Sequence, residues 1–212
     1  MEKEQIQKAL QELAQQPKRK FTQSYDLIIN LKNIDIKTNP LDFFVPLPYP
    51  QGKVVKVAAF VAQELAEPAS KFCDLAIKES DFPQYANKKA AKKLAGEYDY
   101  FIAQANLMPK VAAGFGKALG TRGKMPNPKL GCVVPPTANL DALTKKLRQA
   151  VRLQAKKATN MQCLVGKEDQ PAEQVLENIL TIYNTIVKQL PNEQQNIREV
   201  LLKLTMGKPV KL

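Results

Sequence analysis

Apolar residues follow two periodicities along this chain, and the switches between them lay out its elements. Within residues 2–15, Ile6, Ala9, Leu10 and Leu13 recur at helical spacing, and Pro17 ends the run. Tyr25, Leu27, Ile29 and Leu31 then alternate with Asp26, Asn30 and Lys32, which predicts a strand buried on one face. Val45-Pro46-Leu47-Pro48-Tyr49-Pro50 suits an edge segment or a linker, because proline cannot donate to a sheet ladder.

The middle of the chain changes character. Val54–Val61 is a nearly continuous apolar run, as in a parallel strand buried on both faces. Cys73–Ile77 and Tyr98–Ala103 are further strand candidates, and helical stretches are predicted at about 83–96, 107–118 and 139–150. Strands alternating with helices imply a layered α/β unit. Beyond it, Met161, Cys163 and Val165 alternate as a strand stopping at Gly166. Pro171 opens a long helix with Val175, Ile179, Ile182, Ile186 and Leu190 on one stripe, ended by Pro191; a last strand covers about 197–206. The outer pieces read helix, strand, strand and strand, helix, strand, an α+β sandwich closed by both termini. There is no internal repeat and no long low-complexity tract.

Charge separates the same regions. The 212 residues carry a formal net charge of +12, with 32 Lys and Arg against 20 Asp and Glu. Residues 1–53 hold 8 cations and 6 anions, residues 54–157 hold 18 and 8, and residues 158–212 hold 6 of each. Similar ends around a different centre are what one domain inserted into another produces. A basic surplus of this size favours a polyanion, since cations on a phosphate backbone release condensed counterions.

Composition also excludes chemistry. With 0 histidines there is no Ser-His-Asp or Cys-His catalysis, no histidine pH switch and no histidine metal ligand. Cys73, Cys132 and Cys163 lie far apart and form no C-x-x-C pair, so no zinc pattern exists; buried thiols in a reducing cytosol are expected. The N-terminus, Met1-Glu2-Lys3-Glu4, is acidic and amphipathic, and no apolar stretch reaches membrane-spanning length, so a soluble cytoplasmic protein is expected.

Three segments remain as candidate sites. The stretch from Gly114 to Lys129 is rich in glycine and cations: Lys117, Arg122, Lys124 and Lys129, with Lys110 just before. As a P-loop it fails, because Ala118 follows Lys117, and as a dinucleotide fingerprint it fails at Leu119. A nucleotide-binding enzyme is thus a poor reading; a rigid basic loop for a phosphate backbone and a plain solvated loop both stay open. Lys18-Arg19-Lys20 with Phe21-Thr22-Gln23-Ser24 joins cations to an aromatic and small polar groups, which suits folded RNA. Leu202-Lys203-Leu204-Thr205-Met206-Gly207-Lys208-Pro209 ends a strand in a tight turn, where an exposed Met could pack on a sugar or base. Lys88-Lys89 with Lys92-Lys93, and Lys145-Lys146 with Arg148, read as solvated helix faces.

Together these segments resemble ribosomal protein L-one of the large subunit, a universal stalk-protein family, in its archaeal-type form. The carrying residues are Lys20–Ser24, Tyr100–Ala105 leading to Leu107-Met108-Pro109, Leu119–Lys129, Val165-Gly166 and Leu204–Pro209, in order from end to end. The resemblance implies a split α+β domain I from both termini, residues 1–52 plus 153–212. It also implies an inserted, Rossmann-like three-layer α/β domain II, residues 53–152. It implies no enzyme, catalytic residue, cofactor or metal. The implied role is a large-subunit constituent, a monomer when free, that binds ribosomal RNA at the mobile stalk beside the tRNA exit site. Exit-site tRNA is a further implied partner, and repression of its own mRNA a further implied role. A free RNA-binding repressor acting off the ribosome is the alternative. RNA contacts carry over to Lys20, Phe21, Thr22, Gln23, Asp26, Thr205, Met206 and Gly207, with Lys18, Arg19, Lys203 and Lys208 beside them. Three positions depart from the family pattern: Asp26 stands for the usual Glu, Glu199 for a Ser, and Thr121 for a Pro whose loss is expected to loosen the basic loop.

Overall fold

A computed structural model of the chain describes residues 3–36, 41–85, 87–155 and 158–212. Met1 and Glu2 at the acidic start, and the side chains of Lys88 and Lys129, lie outside the described parts. In chain order the elements are α1 (Lys3–Ala14), β1 (Ser24–Leu31), β2 (Leu41–Pro46), β3 (Val57–Val61), α2 (Ala66–Phe72), β4 (Leu75–Lys78), α3 (Lys88–Glu97) and β5 (Tyr100–Gln104). There follow α4 (Met108–Gly120), β6 (Val133–Val134), α5 (Leu140–Gln149), β7 (Ala150–Ala155), β8 (Asn160–Lys167), α6 (Ala172–Gln189), β9 (Ile197–Leu204) and β10 (Val210–Lys211). They form two compact units: an outer one, Met1–Lys53 with Gln149–Leu212, and an inner one, Val54–Arg148. The architecture is mixed α/β, as the periodicities predict.

In the outer unit the period-two pattern of β1 decides the layering. Tyr25, Leu27, Ile29 and Leu31 are buried, while the residues between them are half-exposed. β1 is antiparallel to both β8 and β9, and β10 flanks β9. Leu27 lies opposite Cys163 and Leu202, and Ile29 opposite Met161 and Val200, so one face of the sheet is apolar throughout. α1 covers it with Ile6, Ala9, Leu10 and Leu13, and α6 with Val175, Ile179, Ile182 and Ile186. Each Val, Leu or Ile among them contributes roughly 1.5–3 kcal/mol on burial. Gly166 allows α6 to come close: a Cβ there would lie 2.8 Å from Oε1 of Gln170 and 2.9 Å from Cγ2 of Val175.

The proline-rich segment is more structured than an edge or linker. Leu41–Pro46 pairs with Ala150–Ala155 in an antiparallel ribbon, and Val45, Val151 and Leu153 enter the core. Pro46 sits at the end of that strand, where the lost donor costs least. Beyond it, the fully buried Asn178 of α6 accepts from Tyr49 N–H (3.1 Å) and donates to Tyr49 O (3.2 Å) and Val165 O (2.9 Å). Residues 149–152 therefore belong with the outer unit, to which β7 is bonded.

The inner unit is a parallel sheet in the order β4-β3-β5-β6. α3 and α4 cover one face through Ala91, Leu94, Val111 and Phe115, meeting Ala58, Phe60, Phe101 and Ala103. Val57, Ala59, Val61 and Ile102 point the other way and are equally buried. The strand begins at Val57 rather than Val54, whose side chain is 80% exposed. The helix predicted from about 83 begins at Lys88, because Pro83 lies in a preceding 3-10 stretch, Glu79–Tyr85. The three cysteines are buried, and burial pushes the Cys73 and Cys132 thiols up to about 11 and Cys163 to about 12.

Candidate nucleic-acid interface

The two segments that sequence singles out in the outer unit meet at one end of the sheet. Asp26 lies opposite Lys203 and Tyr25 opposite Leu204, which brings the start of β1 beside the turn after β9. There Thr205 N–H donates to Ser24 O (3.1 Å), and the Thr205 hydroxyl accepts from Ser24 N–H (3.0 Å). Met206 N–H donates to Oε1 of Gln23 (3.1 Å). From the end of α1, Gln16 holds the next residue both ways: Lys208 N–H donates to its Oε1, and its Nε2 donates to Lys208 O, each at 3.1 Å.

Gly207 leaves room for that clamp. A Cβ there would run into Oε1 of Gln16 and lie 3.1 Å from Cβ of Leu204.

What the turn presents outward is an apolar and cationic surface. Phe21 and Met206 are 50% and 60% exposed, two of the four large hydrophobic side chains exposed among the described residues. Lys18, Arg19, Lys20, Thr22, Thr205 and Lys208 are exposed too, and Lys203 is half-exposed. A groove of about 440 Å³ is lined by Lys18, Arg19, Lys20, Phe21, Thr22, Glu168 and Asp169. A β-bulge between Tyr25 and Asp26 re-aims β1 against β8 next to this surface. Asp26 is half-buried; desolvation raises its carboxyl above the ordinary value while Lys203 opposes this.

Gln23 differs from its neighbours. It is 2% exposed, and its side-chain oxygen is engaged by Met206, so it holds the turn rather than facing out. Two residues that sequence reading passed over also build the site, Gln16 and Glu168, and Ser24, named there only as part of its motif, pairs with Thr205. Glu168 accepts from Gln23 N–H (3.3 Å) and donates its own N–H to Gln23 O (2.9 Å). Neither Gln16 nor Glu168 lies in a motif; only contacts between segments distant in sequence reveal them. Of the departures, Glu199 accepts from Asn30 Nδ2 (2.9 Å) on the half-exposed side of the sheet.

The basic stretch of the inner unit is a helix end. Gly123, in the left-handed region at φ 64°, donates to Gly120 O (3.0 Å), and Lys124 N–H donates to Leu119 O (2.9 Å), the Schellman closure of α4. The glycine at 123 thus serves the cap. Lys124 Nζ donates to Tyr98 O (2.7 Å), and Arg122 and Lys117 are exposed. At Thr121, which stands where the family has Pro, the hydroxyl donates to Lys117 O at 3.0 Å at the end of α4. At the C-terminal ends of β3 and β5, where such sheets bind ligands, the buried Gln104 accepts from Ala62 N–H (2.9 Å). Among the described residues no helix is long and apolar enough to cross a membrane, and no group of acidic or cysteine side chains could hold a metal ion.

Fold and site together define a class: a split α+β unit interrupted by a parallel α/β unit, with cations and two exposed apolar side chains at one end of the outer sheet. The chain belongs to the ribosomal protein L1p/L10e family, whose model matches residues 10–208. It is 43% identical over 199 residues to the large ribosomal subunit protein uL1 of Nanoarchaeum equitans, with 92% of this chain and 93% of that one covered. To the protein of the same name from Thermofilum pendens it is 42% identical over 200 residues, covering 92% and 86%. To that of Methanothermococcus thermolithotrophicus it is 39% identical over 216 residues, covering 100% and 99%. The family resemblance read from the motifs is borne out.

Proposed function

We propose that this chain is a structural constituent of the large ribosomal subunit and that it binds ribosomal RNA through the outer unit. The observation that carries this reading is the family match over residues 10–208, together with relatives named for the large subunit along nearly their whole length. The chemistry of the site is compatible with it. Cations and polar backbone position phosphates and riboses, and exposed Phe21 and Met206 offer faces to a sugar or base. In finer terms, the bound RNA is the mobile stalk beside the tRNA exit site, within reach of exit-site tRNA. The same surface would take a messenger folded like that RNA, giving repression of its own synthesis. The protein performs no catalysis, acts in the cytoplasm as part of the ribosome, and is a monomer when free.

The test is binding of a large-subunit ribosomal RNA fragment, with co-sedimentation on large subunits at moderate salt. Met206→Asp places a charge on an exposed turn residue, so the fold should survive while specific affinity falls by roughly 1–3 kcal/mol. Wild-type affinity in that variant would remove the outer-unit assignment. A protein that binds the fragment but never sediments with subunits would favour the repressor acting off the ribosome.

A further inference from the structure

The basic runs of the inner unit are alike in sequence and differ in what their charges meet. On α5, Lys145 lies 2.8 Å from Asp141 and Arg148 lies 3.4 Å from Asp74. On α4, Lys110 is paired with Glu79. On α3, Lys89, Lys92 and Lys93 are all exposed, and the one ion pair there among the described residues joins Lys93 to Glu97 at 3.8 Å. Among the described residues Lys89 and Lys92 of α3 make no ion pair, and neither do Lys117 and Arg122 at the end of α4.

α3 buries Ala91, Leu94 and Ala95. At 3.6 residues per turn, Lys89, Lys92, Lys93 and position 96 then share the outer face. Position 96 is Gly, which costs a helix about 1 kcal/mol relative to Ala. The space over it is occupied: a Cβ there would lie 3.0 Å from Nη1 of Arg122 and 3.9 Å from its Cζ. Arg122, held by the capped end of α4, thus stands where the next side chain of the α3 stripe would be. Two helices build one row of four cations, and Lys89 to residue 96 spans about 10 Å of helix.

We propose that Lys89, Lys92, Lys93 and Arg122 form a second RNA contact, one that takes phosphate backbone, and that Gly96 admits Arg122 to it. The proposal rests on the reading of the chain as an RNA-binding protein. Ammonium and guanidinium groups only donate, so they bind phosphate oxygens without distinguishing bases. The contact is therefore independent of sequence and sensitive to salt, unlike the turn around Met206.

The test uses the full-length chain, a random-sequence RNA duplex and polyglutamate, each over a salt series. The combined variant Lys89→Ala, Lys92→Ala, Lys93→Ala, Arg122→Ala should lower the slope of log affinity against log salt for the duplex by about 3, at roughly 0.7–0.9 per phosphate contact. Gly96→Glu sets a carboxylate beneath Arg122 while improving helix propensity, so part of the same loss should appear with no fall in Tm. An unaltered slope in the combined variant overturns the stripe and leaves the outer-unit site standing. A wild-type chain that binds polyglutamate but no RNA overturns both.

Discussion

At the scale of single residues, the candidate interface is fixed by side chains that do not face out. Gln16 and Gln23 each use an amide oxygen to hold a backbone N–H of the turn, Lys208 and Met206 respectively. Met206 is exposed because its backbone is anchored from behind. Asp26, beside the turn, carries a pH dependence whose sign follows from its burial. Desolvation raises its carboxyl above the ordinary 3.8, so the folded chain holds that proton more tightly than the unfolded one. Stability from this group is present at low pH and falls as pH rises from the ordinary Asp value through the raised one. Asp26→Asn should flatten that limb of the profile in urea unfolding at a series of pH values. An unchanged limb would show that Asp26 is solvated as in the unfolded chain.

At the scale of elements, α4 shows how a sequence feature changes meaning in its surroundings. Gly120, Gly123 and the cations around them look like a loop built around an anion, but the backbone closes a helix. Gly123→Ala forces an L side chain into the left-handed region, at a cost of about 1–2 kcal/mol. Hydrogen exchange should quicken at the amides of Gly123 and Lys124, which make the cap, and stay unchanged in β1 and β9; no change at the cap would contradict the closure. Elements with a clear period were legible in sequence: α1, β1, β8, α6 and β9 lie close to where their apolar spacing put them. The β2–β7 ribbon was not, because Leu41–Pro46 merges into prolines and Ala150–Ala155 follows α5 directly, with Arg152 and Gln154 on its outer side. There Arg152 binds Asp42 by two hydrogen bonds of 2.8 and 2.7 Å and lies over Phe44. That cross-strand pairing joins residues 110 apart, a distance no local pattern reports. The interface was legible in its outward residues and hidden in its supports for the same reason.

At the scale of the whole molecule, the two units have separate cores. One is built from α1, α6 and the antiparallel sheet; the other surrounds Phe60, Phe101 and Phe115. Phe115 lies 4.8 Å from the Phe60 ring, 5.5 Å from Phe82 and 6.1 Å from Tyr85. Phe115→Ala removes the centre of that cluster, at a cost of about 3–5 kcal/mol. Such a loss is a large share of the ~5–15 kcal/mol that holds a domain folded. If each core sustains its own unit, amides of β3, β5 and α4 should lose protection in hydrogen exchange while those of β1, β8 and β9 keep theirs. Unfolding by denaturant should then leave two-state behaviour, with the inner transition moved to lower urea. Specific binding of the ribosomal RNA fragment should persist in this variant, because every residue of the Gln16–Gln23–Met206 turn belongs to the outer core's unit. A uniform loss of protection, with fragment binding lost in parallel, would instead mean that the units fold as one and that the outer site depends on the inner core.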